Sequence, residues 1–166
     1  AESDAAESRV IGADLIVLFG SNVANNQPVS TKYLHYAKER GARIVVVNPY
    51  REPGLERYWI PSIARSALHG TALADDWFEV TTGGDLAFLV GVLKALLQRE
   101  EGIDWAFVEQ HTVGFNRVRV QVSAEQWPDI ERLSGLSRER IEQFADLLVA
   151  RPNAEFIWSM GLTQHE

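Results

Sequence analysis

The chain of 166 residues contains no cysteine. That excludes a disulfide framework, a thiolate zinc site and a Cys-ligated iron–sulfur cluster within these residues. It also fits a reducing compartment. Long apolar runs are lacking as well, and none approaches the roughly 18–20 residues of a membrane-spanning helix. Positive charge is sparse: 16 Lys and Arg stand against 23 Asp and Glu, a formal net charge of -7. The basic residues are scattered, so no patch offers a footprint for a phosphate backbone. Binding to nucleic acid or to a membrane is therefore not expected. The first residues, Ala1-Glu2-Ser3-Asp4, have neither the basic nor the apolar part of a secretion signal, which points to the cytoplasm.

Signatures of catalysis are equally absent. No G-x-S-x-G elbow occurs. The four histidines, His35, His69, His111 and His165, are dispersed without metal-ligand spacing. No G-x-G-x-x-G follows the first apolar run and no G-K-[ST] appears, which argues against an ordinary dinucleotide site or a P-loop. Asn48 ends the second apolar run where an NAD site usually has Asp or Glu. No residue is assigned as catalytic or as a metal ligand.

What the chain does contain is alternating strand and helix signals. Leu15-Ile16-Val17-Leu18-Phe19 and Ile44-Val45-Val46-Val47 are continuously apolar, as in parallel strands covered on both faces. Ala154 to Trp158 is a third strand, and Trp77-Phe78-Glu79-Val80 a weaker one. Helical spacing runs from about Val29 to Arg40, begun by Asn26-Gln27-Pro28 and stopped by Gly41. Leu86, Leu89, Val90, Leu93, Leu96 and Leu97 form another helical face behind Asp85. Gly91 inside that helix costs about 1 kcal/mol relative to Ala unless close packing requires it. Asp104 caps a helix with Trp105 and Phe107, and Ser137 starts one carrying Ile141, Phe144, Ala145 and Leu148. This order predicts an α/β fold with a doubly wound, mainly parallel sheet and helices on both faces. The expected organisation is a single α/β domain over residues 1–166. The last strand runs into a loop that should lead on to another helix, so the chain reads as an internal piece of a larger, multidomain protein.

Ligands of open parallel sheets bind outside the carboxyl ends of the strands. Those ends carry Gly20-Ser21-Asn22, Asn48-Pro49-Tyr50-Arg51, Gly83-Gly84-Asp85 and Met160-Gly161. Any such sheet needs turn residues there, but glycine also lets a backbone approach a phosphate closely. Four such loops together suggest a nucleotide-type ligand. Asp85 has two readings, a helix N-cap or a carboxylate accepting from the N1–H and N2–H₂ edge of guanine.

Ala13-Asp14-Leu15-Ile16-Val17-Leu18-Phe19-Gly20-Ser21-Asn22, followed by Ala24 and Pro28, resembles the corresponding stretch of molybdopterin oxidoreductases. The same order continues through Ala42-Arg43-Ile44, Asn48-Pro49, Gly83-Gly84-Asp85-Leu86-Ala87, Ala106-Phe107-Val108 and Thr112-Gly114-Phe115. It ends at Trp158-Ser159-Met160-Gly161-Leu162-Thr163-Gln164. The resemblance is to the bis-molybdopterin guanine dinucleotide enzymes related to formate dehydrogenase alpha subunits. It implies that Gly20, Ser21 and Asn22 meet the cofactor near its phosphates. Asn48, Pro49 and Arg51 would border the guanosine, and Gly83, Gly84 and Asp85 the guanine. Met160, Gly161 and Gln164 would lie toward the pterin. Many relatives have Asp-Pro-Arg where this chain has Asn48-Pro49-Tyr50, with Arg51 one place later. Molybdenum or tungsten would be held by the cofactor's dithiolenes, and any iron–sulfur cluster outside these residues. Partners would be the remaining domains of the same polypeptide and an electron carrier. Two other readings remain: a non-catalytic nucleotide-binding module, such as the central domain of a thiamine-diphosphate enzyme, and a structural domain without ligand.

Overall fold

The computed structural model describes residues 9–60, 63, 66, 70–158 and 160–163. The sequence pattern marks no internal boundary, whereas the structure gathers into two compact units, Ala1–Glu79 with Arg151–Glu166, and Val80–Ala150.

The first unit contains the sheet. Its strands are β1 (Leu15–Phe19), β2 (Arg43–Val47), β3 (Asp76–Phe78) and β4 (Ala154–Trp158). Their order is β3-β2-β1-β4, and every pair is parallel. This is the expected α/β, doubly wound arrangement. Central β1 pairs on both edges, Leu15 with Arg43 and Ala154, through to Phe19 with Val47 and Trp158. All five of its residues are buried. Side chains alternate across a strand. Ile16, Leu18, Ile44 and Val46 join one core with Leu34, Ala37, Leu55 and Leu73. Leu15, Val17, Val45 and Val47 face the other way and are buried too, which explains the continuous apolar runs.

Helix α1 (Val23–Asn26) follows β1, and α2 (Pro28–Glu39) leads to β2, with Pro28 in its first turn as the start signal requires. Gly41, at φ +97, turns the chain into the strand. Within the irregular stretch after β2, Pro53–Glu56 forms a short helix, α3. Asp75 then joins three elements. Its carboxylate accepts from the Ile44 N–H at 2.8 Å and pairs with Lys38 of α2 at 2.7 Å, while its own N–H donates to the Ile44 carbonyl. β3 starts one residue earlier and ends two earlier than the pattern predicts, because its partner β2 ends at Val47, the register mate of Phe78, and leaves no strand for Glu79 and Val80 to pair with. After β4, Met160–Thr163 makes a helical turn, α9 in chain order.

The second unit is helical: α4 (Asp85–Leu97), α5 (Trp105–His111), α6 (Phe115–Ala124), α7 (Trp127–Ser134) and α8 (Arg138–Ala150). Asp104 caps α5 as expected, accepting from the Phe107 N–H at 2.9 Å. Ser137 accepts from the Arg140 N–H at the start of α8. The Glu139 carboxyl there lies below its usual range, held by its own backbone N–H and then by the Ser137 hydroxyl. The sequence pattern assigns no element to α6 and α7. In α6 only Val122 is buried, so its Val118, Val120 and Val122 provide no helical stripe to read. Phe88 and Phe144 meet edge to face at 5.0 Å in the core.

Gly91 resolves the packing question. A Cβ there would lie 2.8 Å from Ile130 Cγ2 and 3.1 Å from Ile141 Cγ2, both on stiff β-branched side chains. Helix α4 touches α7 and α8 through this gap. Overpacking costs about 1–3 kcal/mol, more than the about 1 kcal/mol of helix propensity gained. Gly91→Ala is therefore expected to lower stability by about 1 kcal/mol in equilibrium urea unfolding, and a stabilised variant would show that the gap can open freely.

Candidate functional site

In chain order β1, β2 and β3 advance across the sheet in one direction, and β4 returns to the opposite edge of β1. The carboxyl ends of β1 and β4 therefore flank a topological switch point, where open α/β sheets bind ligands. Gly20-Ser21-Asn22 leave β1 on one side of that crevice, and Met160 and Gly161 open the turn after β4 on the other. Ser159 and Gln164 lie outside the described residues, as do His69 and His165.

Gly20 adopts φ +55, and a Cβ built on it would meet nothing within 4 Å. Its left-handed conformation favours glycine, and the space above it is open. Its N–H donates to the Val47 carbonyl at 3.0 Å, tying the exit of β1 to the end of β2. Asn22 is the N-cap of α1 and accepts from the Asn25 N–H at 3.3 Å. The remaining end of its amide, Nδ2, donates to Glu52 Oε2 at 2.7 Å. The loops after β1 and β2 are thus joined by a side-chain bond, and by Gly54, where a Cβ would lie 2.5 Å from that of Ala24.

Asn48 is nearly buried at 8% exposure. Its side-chain amide donates to the Tyr50 carbonyl at 2.8 Å and its backbone N–H to the Phe78 carbonyl at 3.2 Å. It shapes the turn of which Pro49 and Tyr50 are the exposed part. Arg51 is occupied elsewhere: Nε and an Nη both lie 2.7 Å from Glu79 Oε1, and the guanidinium stands over Trp77 at 5.8 Å. Glu52, Glu79 and Trp77 were not legible as partners, because each is a lone residue whose role depends on where the loops fold back.

The Gly83-Gly84-Asp85 loop belongs to the second unit. Gly83, at φ +80, is exposed and lines an open cleft of about 390 Å³ with Thr82, Leu86 and Leu133. Gly84 is packed by the chain itself, since a Cβ there would sit 2.6 Å from Thr81 Oγ1 and 2.7 Å from the Leu133 carbonyl. The N-cap reading of Asp85 is corrected: Gly84 is the N-cap, and Asp85 is the first residue of α4. A carboxylate in a first helical turn still gains from the helix dipole. Among the described residues no three His, Asp or Glu side chains gather as a metal site. No helix of the described residues is long and apolar enough to cross a membrane.

Residues 5–166 match a family described as molybdopterin oxidoreductase. Protein YdeP of Escherichia coli strain K12 is 36% identical over 164 residues, covering 92% of this chain and 22% of that protein. Formate dehydrogenase H of the same organism is 26% identical over 157 residues, covering 95% of this chain and 20% of its own length. The chain thus spans about a fifth of the curated relatives it matches. Acetylene hydratase from Pelobacter acetylenicus has a similar fold, with a TM-score of 0.72 at 19% identity over 97% of this chain and 22% of that structure.

The two loop glycines differ in what a methyl group would do. Gly20→Ala meets no atoms and incurs only the left-handed backbone penalty, about 1–2 kcal/mol. Gly84→Ala drives a methyl group into backbone that cannot rotate away, so a larger loss of about 2–3 kcal/mol is expected. Denaturant midpoints of the two variants test this ranking, and the reverse order would refute it.

Proposed function

This chain belongs to the molybdopterin oxidoreductase family, and from that premise we propose that it holds the guanine dinucleotide part of the molybdopterin cofactor. The parent protein is then a formate dehydrogenase-like oxidoreductase in which these residues bind and orient rather than catalyse. The observation that carries this reading is the switch point between β1 and β4, with Gly20 open at its edge. The donor set there suits a nucleotide. Ser21, Asn22 and Asn48 are neutral hydrogen-bonding residues, and Gly20 leaves its backbone approachable.

In this proposal Gly20, Ser21 and Asn22 meet the phosphates. Asn48 and Pro49 border the guanosine through the turn that the Asn48 amide shapes. Asp85, with Gly83 beside it, accepts from the paired donors of guanine, an edge that adenine lacks. Met160, Gly161 and Gln164 lie toward the pterin. The guanidinium of Arg51 is paired with Glu79 and contributes by holding the loop rather than by binding phosphate. When bound, the cofactor supplies redox chemistry through molybdenum or tungsten held by its dithiolenes. The remaining domains of the polypeptide and an electron carrier are the proposed partners, and the cytoplasm the proposed location. A cofactor held among several domains would bind weakly to this chain alone.

Acid hydrolysis of the full-length protein is expected to release GMP, with molybdenum or tungsten in near-stoichiometric amount. Finding neither would sink the proposal. Asp85→Ala is expected to lower GMP content severalfold while shifting thermal stability little. Parallel loss of both would assign Asp85 a purely structural place in the first turn of α4.

A further inference from the structure

In dinucleotide-binding α/β sheets, a carboxylate at the end of the second strand accepts hydrogen bonds from the ribose hydroxyls. Here that position is Asn48, whose amide is committed to the Tyr50 carbonyl. A carboxylate nevertheless reaches the same edge of the sheet. Glu52, four residues further on, folds back so that its Oε2 lies 2.7 Å from Asn22 Nδ2, between the loops after β1 and β2.

Several observations separate this arrangement from an ordinary surface contact. Glu52 is the N-cap of α3, yet its side chain makes no capping bond to that helix. Its donor is neutral, and the amide's orientation is set by the second bond, from the Asn25 N–H to Asn22 Oδ1. The adjacent cation does not neutralise it, because Arg51 pairs with Glu79. Glu52 is half-buried and held in place. A carboxylate has about four lone-pair sites, and the Asn22 bond uses one of them. The lone pairs left over suit a neutral ligand group offering two O–H donors.

We propose that Glu52 is the ribose-reading residue of the site, its carboxylate accepting from the 2′- and 3′-hydroxyls of the nucleotide. This rests on the guanine dinucleotide reading above and adds a selectivity to it. Sugars lacking the diol, or bearing a phosphate on it, are rejected. Asn22 acts as a positioning residue, holding Glu52 while it caps α1.

The test uses the full-length apoprotein with GDP and 2′,3′-dideoxy-GDP as probes. Loss of a hydrogen bond to a charged group corresponds to roughly 10–100-fold in affinity. Wild type is therefore expected to bind GDP at least about tenfold more tightly than the dideoxy analogue. Glu52→Gln keeps an acceptor for Asn22 but loses the charge, and should bring the ratio toward one while changing binding of the dideoxy analogue little. A wild-type ratio near one overturns the assignment without recourse to any variant. An unchanged ratio in Glu52→Gln overturns it equally. If wild type binds neither probe, the ribose assignment falls, and GMP in the acid hydrolysate of the holoprotein then decides separately whether the dinucleotide reading stands.

Discussion

Strand β1 is hydrogen-bonded along both edges and buried at every position, and the geometry of the candidate site depends on it. Burial of each large side chain contributes about 1.5–3 kcal/mol. Its two ladders hold β2 and β4 in one register, Phe19 level with both Val47 and Trp158. The exits of three strands therefore end at the same height. Shifting the register would invert the strand faces and move the switch-point loops away from one another.

Above that platform, the loops hold one another through polar bonds. The Gly20 N–H reaches β2, Asn22 reaches Glu52, and Asn48 reaches Tyr50. Gly20, Asn22 and Asn48, which resemble ligand contacts, are thus also structural contacts. The consequence is pre-organisation, since little side-chain ordering remains to oppose binding. It also assigns Arg51, the obvious candidate for a phosphate, to Glu79 and Trp77. The charge of Arg51 is thereby balanced by Glu79, while the carboxylate of Glu52 meets the neutral amide of Asn22.

Much of the fold was legible in the pattern of residues. Continuous runs such as Leu15–Phe19 announce strands covered on both faces, and Pro28 and Gly41 bracket α2 because backbone sterics place them there. Helix α6 was not legible, since it buries a single residue and lacks an apolar stripe, whereas α7 carries readable end signals in Pro128 of its first turn and Gly135 at its C-cap. The candidate loops were legible as glycine- and asparagine-rich strand exits, and their order resembled that of a known family.

Local chemistry, acting over a few residues, therefore determined the strands, their parallel sheet, most of the longer helices and the turn residues at the strand exits. The uses of individual side chains were settled by contacts between residues far apart in the chain. Asn22 meets Glu52 across 30 positions and Arg51 meets Glu79 across 28. Gly84 is required because the backbone at Leu133 occupies the space of its missing side chain. Such contacts leave no periodic mark, because a single hydrogen bond or a single close approach imposes no repeating pattern on the residues around it.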